Sequence, residues 1–415
     1  MRSPRIAKKY QISLITFFIL TISIYPSLFT VILNASSMAF GLSLALGPVF
    51  LILVKKSFDF TVSKSKIISI LLLSTLLIIH LFFASLNFPE AINIKSIISI
   101  LYFFLLILSA LILYTFLQGA NKEKLHQSIY FLFFILSWIL FLKSILVLSN
   151  SSMFNDKAMF IFKEPSHFAL IYSIFLMYFM ICPGKYKGSV FLFVMICSLL
   201  IESLALVLVA LISLTAYLVT IRNKRVFLIL IVLMPFLISV VFLLGDADYF
   251  TERLIITEES QNLSVLVFLS GFERALLVYE KSGWLGGGFQ SMGNLGVYGS
   301  LQDKILNISG SHLNIQDGGT LAAKIIFELG IIGIALLVLY ISSFTYMMLK
   351  GPKENDYLNK FLWSSFMCLF LSLFVRGVGY FSPSVFFALC FMISKLGIIQ
   401  LRKAKDLPAR ILVRF

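Results

Sequence analysis

The chain has 415 residues, 60% of them hydrophobic and 13% charged, with a formal net charge of +15. Soluble domains carry about 45–50% apolar and about 25% charged residues, so the composition excludes an ordinary soluble enzyme and places most of the mass in lipid. The positive charge does not indicate a nucleic-acid binder, because the basic residues sit in short clusters beside apolar runs, as the cytoplasmic loops of membrane proteins do.

In chain order the apolar runs predict an all-α polytopic fold with membrane helices over 12–33, 38–54, 67–86, 95–117, 127–149, 167–182, 188–201, 203–221, 226–244, 323–349, 358–375 and 383–400. The N-terminus mimics a signal peptide, but the run that follows is too long for a signal core and serves as the first membrane helix. Pro26, Pro48 and Pro235 fall within spans, where neighbouring helices can re-satisfy the freed backbone groups. Residues 188–221 are almost continuously apolar. A single tilted span there would put Lys187 and Arg222 on opposite faces, so a hairpin turning near Glu202 and Ser203 is expected. The longest polar interruption, 245–322, is short and irregular, so the whole of 1–415 reads as one integral membrane domain with one large loop between the ninth and tenth helices.

This arrangement collects 24 of the 34 Lys and Arg residues on one side, together with both termini, and that side is predicted to be the cytoplasm. The other ten are Lys95, Lys143, Lys157, Lys163, Arg253, Arg274, Lys281, Lys304, Lys324 and Arg376. Topology supplies no reason for them, and several lie in or near the large loop. Positive charge kept there fits an anionic ligand as well as ordinary solvated charge. The four cysteines all lie in apolar segments, with no metal-ligand spacing and no disulfide framework.

The large loop opens GDADYFTERL. Its Asp246 and Asp248 resemble a DxD metal signature, although acidic pairs at helix ends are common. Residues 264–282, SVLVFLSGFERALLVYEKS, predict a helix on which Arg274 and Lys281, seven residues apart, share a face. That face is either solvated or a cationic strip for a pyrophosphate, for which an arginine fork suits paired phosphate oxygens. Arg253 is a candidate second arm. The following GWLGGGFQSMGNLG either cradles an anion or makes an irregular turn. No GxxxxGK[ST] loop is present, so nothing points to a nucleotide-driven motor. In SHLNIQDGGTLAAKIIFELGIIG, His312 is either a polar loop residue or a group that orients or deprotonates a hydroxyl. FIFKEPSHFAL puts Lys163, Glu164 and His167 at the outer mouth of the sixth span, and LFVRGVGYFSP puts Arg376 at the outer end of the eleventh.

Together these segments resemble the bacterial O-antigen polymerase family, within the superfamily that includes O-antigen ligases. The resemblance rests on FKEPSHFAL, on a long outward loop between late helices, on ERALLVYEKSGWLGGGF, and on SHLNIQDGGTLAAKIIFELGIIG with its Glu-x-Gly. The helix arrangement covers the chain, and the motifs cover about a fifth of it. In one departure, IESLALVL lacks the arginine often found after that serine.

The resemblance implies a GT-C-type membrane glycosyltransferase of the bacterial inner membrane that needs no metal or other cofactor. It implies transfer of a growing glycan from undecaprenyl pyrophosphate to a new lipid-linked repeat unit at the periplasmic face, with a chain-length regulator protein as a partner. His312, Glu164 and Arg274 are then the expected catalytic residues, and Arg253, Arg274, Lys281, Arg376 and Lys163 the expected substrate contacts. A ligase moving glycan onto the lipid A core is the nearest alternative. A repeat-unit flippase is the alternative from another class, against which stand the lack of an internal repeat and the concentration of charge in one loop.

Overall fold

The computed structural model describes residues 4–33, 38–55, 64–149, 158–221, 247–352 and 356–395. They are almost wholly helical. The helices are α1 (Pro4–Ile32), α2 (Met38–Lys55), α3 (Lys64–Asn87), α4 (Ile94–Gln118), α5 (Lys122–Leu148), α6 (Pro165–Ile181), α7 (Lys187–Leu200), α8 (Leu204–Ile221), α9 (Ala247–Leu254), α10 (Leu263–Lys281), α11 (Ser300–Ser309), α12 (Leu321–Lys350), α13 (Tyr357–Phe374) and α14 (Pro383–Lys395). Six of these, α1, α4, α5, α8, α12 and α13, are long and apolar enough to cross a membrane, and five shorter apolar helices accompany them. The protein is therefore a helical membrane protein. The predicted ninth span, 226–244, lies outside the described residues.

The elements start where the sequence supplies caps. Asn93 accepts from the Ser96 amide while Ser96 returns a bond to Asn93, closing a capping box on α4, and Asn121, Asn262 and Thr320 cap α5, α10 and α12. The expected break in the run 188–221 is present. α7 ends at Leu200, Glu202 takes a positive φ of 54°, and α8 starts at Leu204 and packs back on α7. A three-residue turn closed by bonds from the Glu202 and Ser203 amides to the Leu199 and Ser198 carbonyls makes the hairpin.

α6 is the central post. Every residue from Phe168 to Ile181 is buried, and the helix packs on α8, α13 and α5. Phe133 of α5 stacks on it twice, on Phe179 at 4.4 Å and on Tyr172 at 6.1 Å. All four cysteines are buried and free.

The two ends of the bundle differ. At one end the Lys122 ammonium lies 3.3 Å from Asp356, joining the α4–α5 and α12–α13 connections. Nearby, His126 stacks on Tyr357 and hydrogen-bonds the Tyr178 hydroxyl at 2.8 Å. At the other end meet the starts of α4, α6, α12 and α14, the end of α13, and the segment 263–320. The α4–α5, α6–α7 and α12–α13 basic clusters thus share one end, opposite the large loop, as the charge pattern predicts.

α12 is broken within. At Gly330 the backbone turns to φ 56°, ψ −128°, which frees the carbonyls one turn earlier. Those of Phe327 and Glu328 accept instead from the Gly287 and Gly288 amides at 2.8 and 2.9 Å, and the Ile331 amide donates to Trp284 at 2.9 Å. The glycine-rich turn is spliced into the helix break, and its bonds replace those the break removes at Phe327, Glu328 and Ile331. The two backbones touch: a Cβ on Gly330 would fall on the Trp284 carbonyl, and one on Gly286 would meet the Gly330 amide.

Candidate functional site

The loop end of the bundle carries two polar clusters joined by the segment 312–317. The first forms around Arg376, which the end of α13 presents from the connection to α14. Its Nη2 donates to Glu164 Oε2 at 3.0 Å and Oε1 at 3.2 Å. Glu164 immediately precedes Pro165 at the start of α6, and the Ser166 hydroxyl donates to its Oε2 at 2.9 Å. Both side chains keep solvent access, 21% for Arg376 and 44% for Glu164. Burial pushes the Glu164 carboxyl up, but Arg376, His167 and Ser166 together outweigh it, so its pKa lies below the usual carboxylate range. Lys163 is exposed beside the pair, and His167, one turn into α6, lies within electrostatic reach of Glu164, Arg376, Asp317 and Lys163. A small cleft next to the pair is lined by His167, Leu170, Ile171, Val378, Ser382 and Ser384. The Gly377 amide donates to the Gly319 carbonyl at 2.8 Å, which fixes this connection against the start of α12.

Lys324 lies beneath. It is buried and donates to the Gln316 carbonyl at 2.7 Å, with Asp317 at 3.5 Å and Glu328 at 3.8 Å. Lys95, from the first turn of α4, reaches the Gln316 side chain at 3.4 Å. Glu328 is fully buried and its Oε1 accepts from the Met292 amide at 3.3 Å. The Tyr380 hydroxyl lies beside the same carboxylate, yet neither it nor Glu328 Oε2 completes a hydrogen bond among the described residues.

The second cluster is built on Arg274. Only 1% of this residue is exposed. Its Nε donates to the Val297 carbonyl at 2.9 Å and its Nη1 to the Ile315 carbonyl at 3.0 Å, while the guanidinium lies over the Tyr298 and Phe327 rings. Burial lowers its pKa to about 10, which still leaves it charged at neutral pH. Tyr298 stacks in turn on His312, with centroids 4.8 Å apart and planes 4° from parallel. Next to Arg274, Glu273 accepts from the Ser300 hydroxyl and the Leu301 amide at 2.8 and 3.1 Å and so caps α11 from outside.

Gln302 lies beside His312. The Ser270 hydroxyl donates to Gln302 Oε1 at 2.8 Å, which turns the Gln302 amide nitrogen toward the Leu313 carbonyl at 3.5 Å and His312 Nδ1 at 3.4 Å. An acceptor at Nδ1 puts the proton of the neutral ring on Nε2. In that tautomer His312 would present an N–H suited to orienting an oxygen.

Of the residues the sequence singled out, Glu164, Arg376 and Lys163 come together in one group, and Arg274 and His312 in another. Arg274 and Lys324 hold successive carbonyls, Ile315 and Gln316, of the segment between the groups. Lys281 is exposed at the end of α10, where Arg274 is buried. Arg253 is half-buried on α9. Asp246 lies outside the described residues, as does the side chain of Asp248. The glycine-rich segment serves as the splice into α12, with the Gly287 and Gly288 amides already donating. Sequence reasoning did not single out Tyr298, Gln302, Asp317, Glu328 or Tyr380 as site residues. The i, i+4 spacing of Lys324 and Glu328 was a readable signal, whereas Tyr298 and Gln302 become visible only once α10 and α11 are packed. Compared with known protein families, curated proteins and solved structures, the chain matches none of them.

Proposed function

We propose that this protein is an O-antigen polymerase, a glycosyltransferase that moves a growing glycan from undecaprenyl pyrophosphate onto a new lipid-linked repeat unit. The observation that carries the reading is the Arg376–Glu164 group at the end of the bundle opposite the basic loops. There an arginine with solvent access sits at the mouth of buried helices. By the charge rule that end is periplasmic, both termini are cytoplasmic, and the chain crosses the bacterial inner membrane twelve times in a GT-C-like arrangement.

The donor already carries an activated leaving group, so no nucleotide site is needed. Arg376, with Lys163 beside it, neutralises charge growing on the departing diphosphate as the glycosidic bond breaks. Arg253 and Lys281 serve as outlying cationic contacts. Arg274 acts by holding the Tyr298–His312 stack and the segment 312–317 in place. His312 Nε2–H orients the acceptor hydroxyl, and Glu164 sets the position of Arg376 and takes the proton that the hydroxyl releases. A chain-length regulator is the expected protein partner.

The test is complementation of a polymerase-null strain, read as a lipopolysaccharide ladder on a gel. The wild-type chain restores long polymer. Arg376→Ala, at equal protein level in the membrane, leaves single repeat units on the core. A null phenotype in which polymer accumulates on undecaprenol would assign the chain as a ligase instead. Reporter fusions that put 247–320 in the cytosol would overturn both readings.

A further inference from the structure

α12 changes character at Gly330. Before the break, Leu321, Ala322, Ala323, Lys324, Phe327, Glu328 and Leu329 are all buried in protein. After it, Ile331, Ile332, Leu336, Val338, Leu339, Ile341, Tyr346 and Leu349 are exposed down the outer face. The stretch 331–350 has about 20 residues, which at about 1.5 Å per residue spans about 30 Å, the thickness of a bilayer's hydrocarbon core. The break in the helix and the start of its lipid-facing surface coincide.

Trp284 sits at that level, since its carbonyl receives the Ile331 amide, and the residue is 64% exposed. On its other side the same turn is tied to α3. His80 Nε2 donates to the Leu285 carbonyl at 2.8 Å, and the Asn87 side chain donates to the Ser282 carbonyl at 3.0 Å. The outer face of α3 at this height is again apolar and exposed, with Ile78, Ile79, Phe82, Phe83 and Leu86. Trp284 thus lies between two lipid-facing helices, stacked on Tyr279 of α10, and one turn back along α10 Leu276 is exposed at 58%. An indole with an apolar body and one N–H donor is at its most stable where hydrocarbon meets headgroups.

We propose that the end of α10 and the glycine-rich turn form a membrane-interface anchor, with Trp284, Tyr279 and Leu276 seated in the headgroup region of the outer leaflet. The occupant of this surface is the phospholipid bilayer itself. The anchor fixes the height of the splice at Gly330, and through Arg274 on the same helix it fixes the height of the Tyr298–His312 stack above the membrane. The inference does not depend on which reaction the protein catalyses.

The chain has three tryptophans. In phosphatidylcholine vesicles, the fluorescence difference between Trp138→Phe and the Trp138→Phe/Trp284→Phe double variant reports Trp284 alone and leaves buried Trp363 untouched. Lipids brominated near the headgroup should quench this difference more strongly than lipids brominated near the chain ends, and aqueous iodide should quench it weakly. Strong iodide quenching without bromolipid quenching would place Trp284 in water and overturn the anchor. Stronger quenching by the deep bromine would overturn the interfacial position. Both outcomes leave the polymerase reading to its own test, because the chain-length ladder is not part of this measurement.

Discussion

Arg274 and Arg376 are the same residue type at the same end of the bundle, and the sequence offered both as ligands for one diphosphate. Their surroundings differ. Arg274 is buried, its Nε and Nη1 are occupied by main-chain carbonyls 23 and 41 residues away, and aromatic rings cover its faces. Arg376 keeps solvent access and is held by a carboxylate through a single nitrogen, Nη2. A guanidinium committed to backbone carbonyls organises a loop, whereas one with open donors can take a ligand. Availability of donors separates the two roles, and position in the sequence does not.

Arg274→Ala should have the largest effect. The change leaves two carbonyls without their charged donor and opens a void under Tyr298. With charge-assisted bonds worth roughly 1.5–3 kcal/mol each, the expected destabilisation is about 3 kcal/mol or more. Thermal unfolding in detergent should show a clear downward shift, and polymer should be lost with it, while the protein still inserts in the membrane. An Arg274→Ala protein with wild-type stability and no activity would return Arg274 to direct contact with the ligand. Gly330→Ala comes next. A Cβ at that positive φ would collide with the Trp284 carbonyl, so about 2–3 kcal/mol is expected, in the range of overpacking plus backbone strain. Gly47→Ala is the control, because nothing lies within 4 Å of a Cβ there and the variant should unfold like wild type.

How far these roles were legible follows from the type of signal. Apolar runs and their basic flanks located the six helices long enough to cross a membrane and the break at Glu202, although α1 starts eight residues and α5 five residues before the predicted spans, because burial in lipid and loop charge are properties of consecutive residues. The His312 and Arg274 segments were readable as polar departures from that pattern. The helix break at Gly330 was not readable, since no proline or charge marks it between 329 and 349 and the break is compensated by amides from a turn 40 residues earlier. Likewise, the face shared by Arg274 and Lys281 was a correct statement about helical spacing. It was silent on Tyr298 and Phe327 covering the first residue while the second stays exposed.

The Arg376–Glu164 pair should give a smaller change in stability and a pH dependence of known sign. Both partners are partly exposed, so the pair contributes about 1 kcal/mol or less. The folded-state pKa of Glu164 lies below its unfolded value. Its contribution is therefore complete above the unfolded value and is lost as pH falls through the depressed folded one. Wild-type melting temperature should fall on acidification below about pH 4.3 by a small increment that is absent in Glu164→Gln. Identical acid profiles for the two proteins would mean that the pair does not persist in solution. On activity the order reverses: Arg376→Ala should lose polymer at nearly native stability, the opposite balance to Arg274→Ala.

The smallest expected effect on stability, and the one that sharpens the chemistry, is at His312. The ring is half-buried, and its main packing partner is the face of Tyr298, an interaction worth about 0.5–1.5 kcal/mol. His312→Ala should therefore unfold within about 1 kcal/mol of wild type while losing activity. His312→Gln separates the two ways the ring can act. The glutamine amide nitrogen reaches close to the position of Nε2 and supplies an N–H there, but it accepts no proton. If Gln302 holds the histidine with its proton on Nε2, His312→Gln should keep a measurable part of the chain-length ladder that His312→Ala loses. Equal loss in both variants would mean that the ring works by taking a proton from the acceptor, and that the Gln302 contact at 3.4 Å does not set the tautomer during turnover.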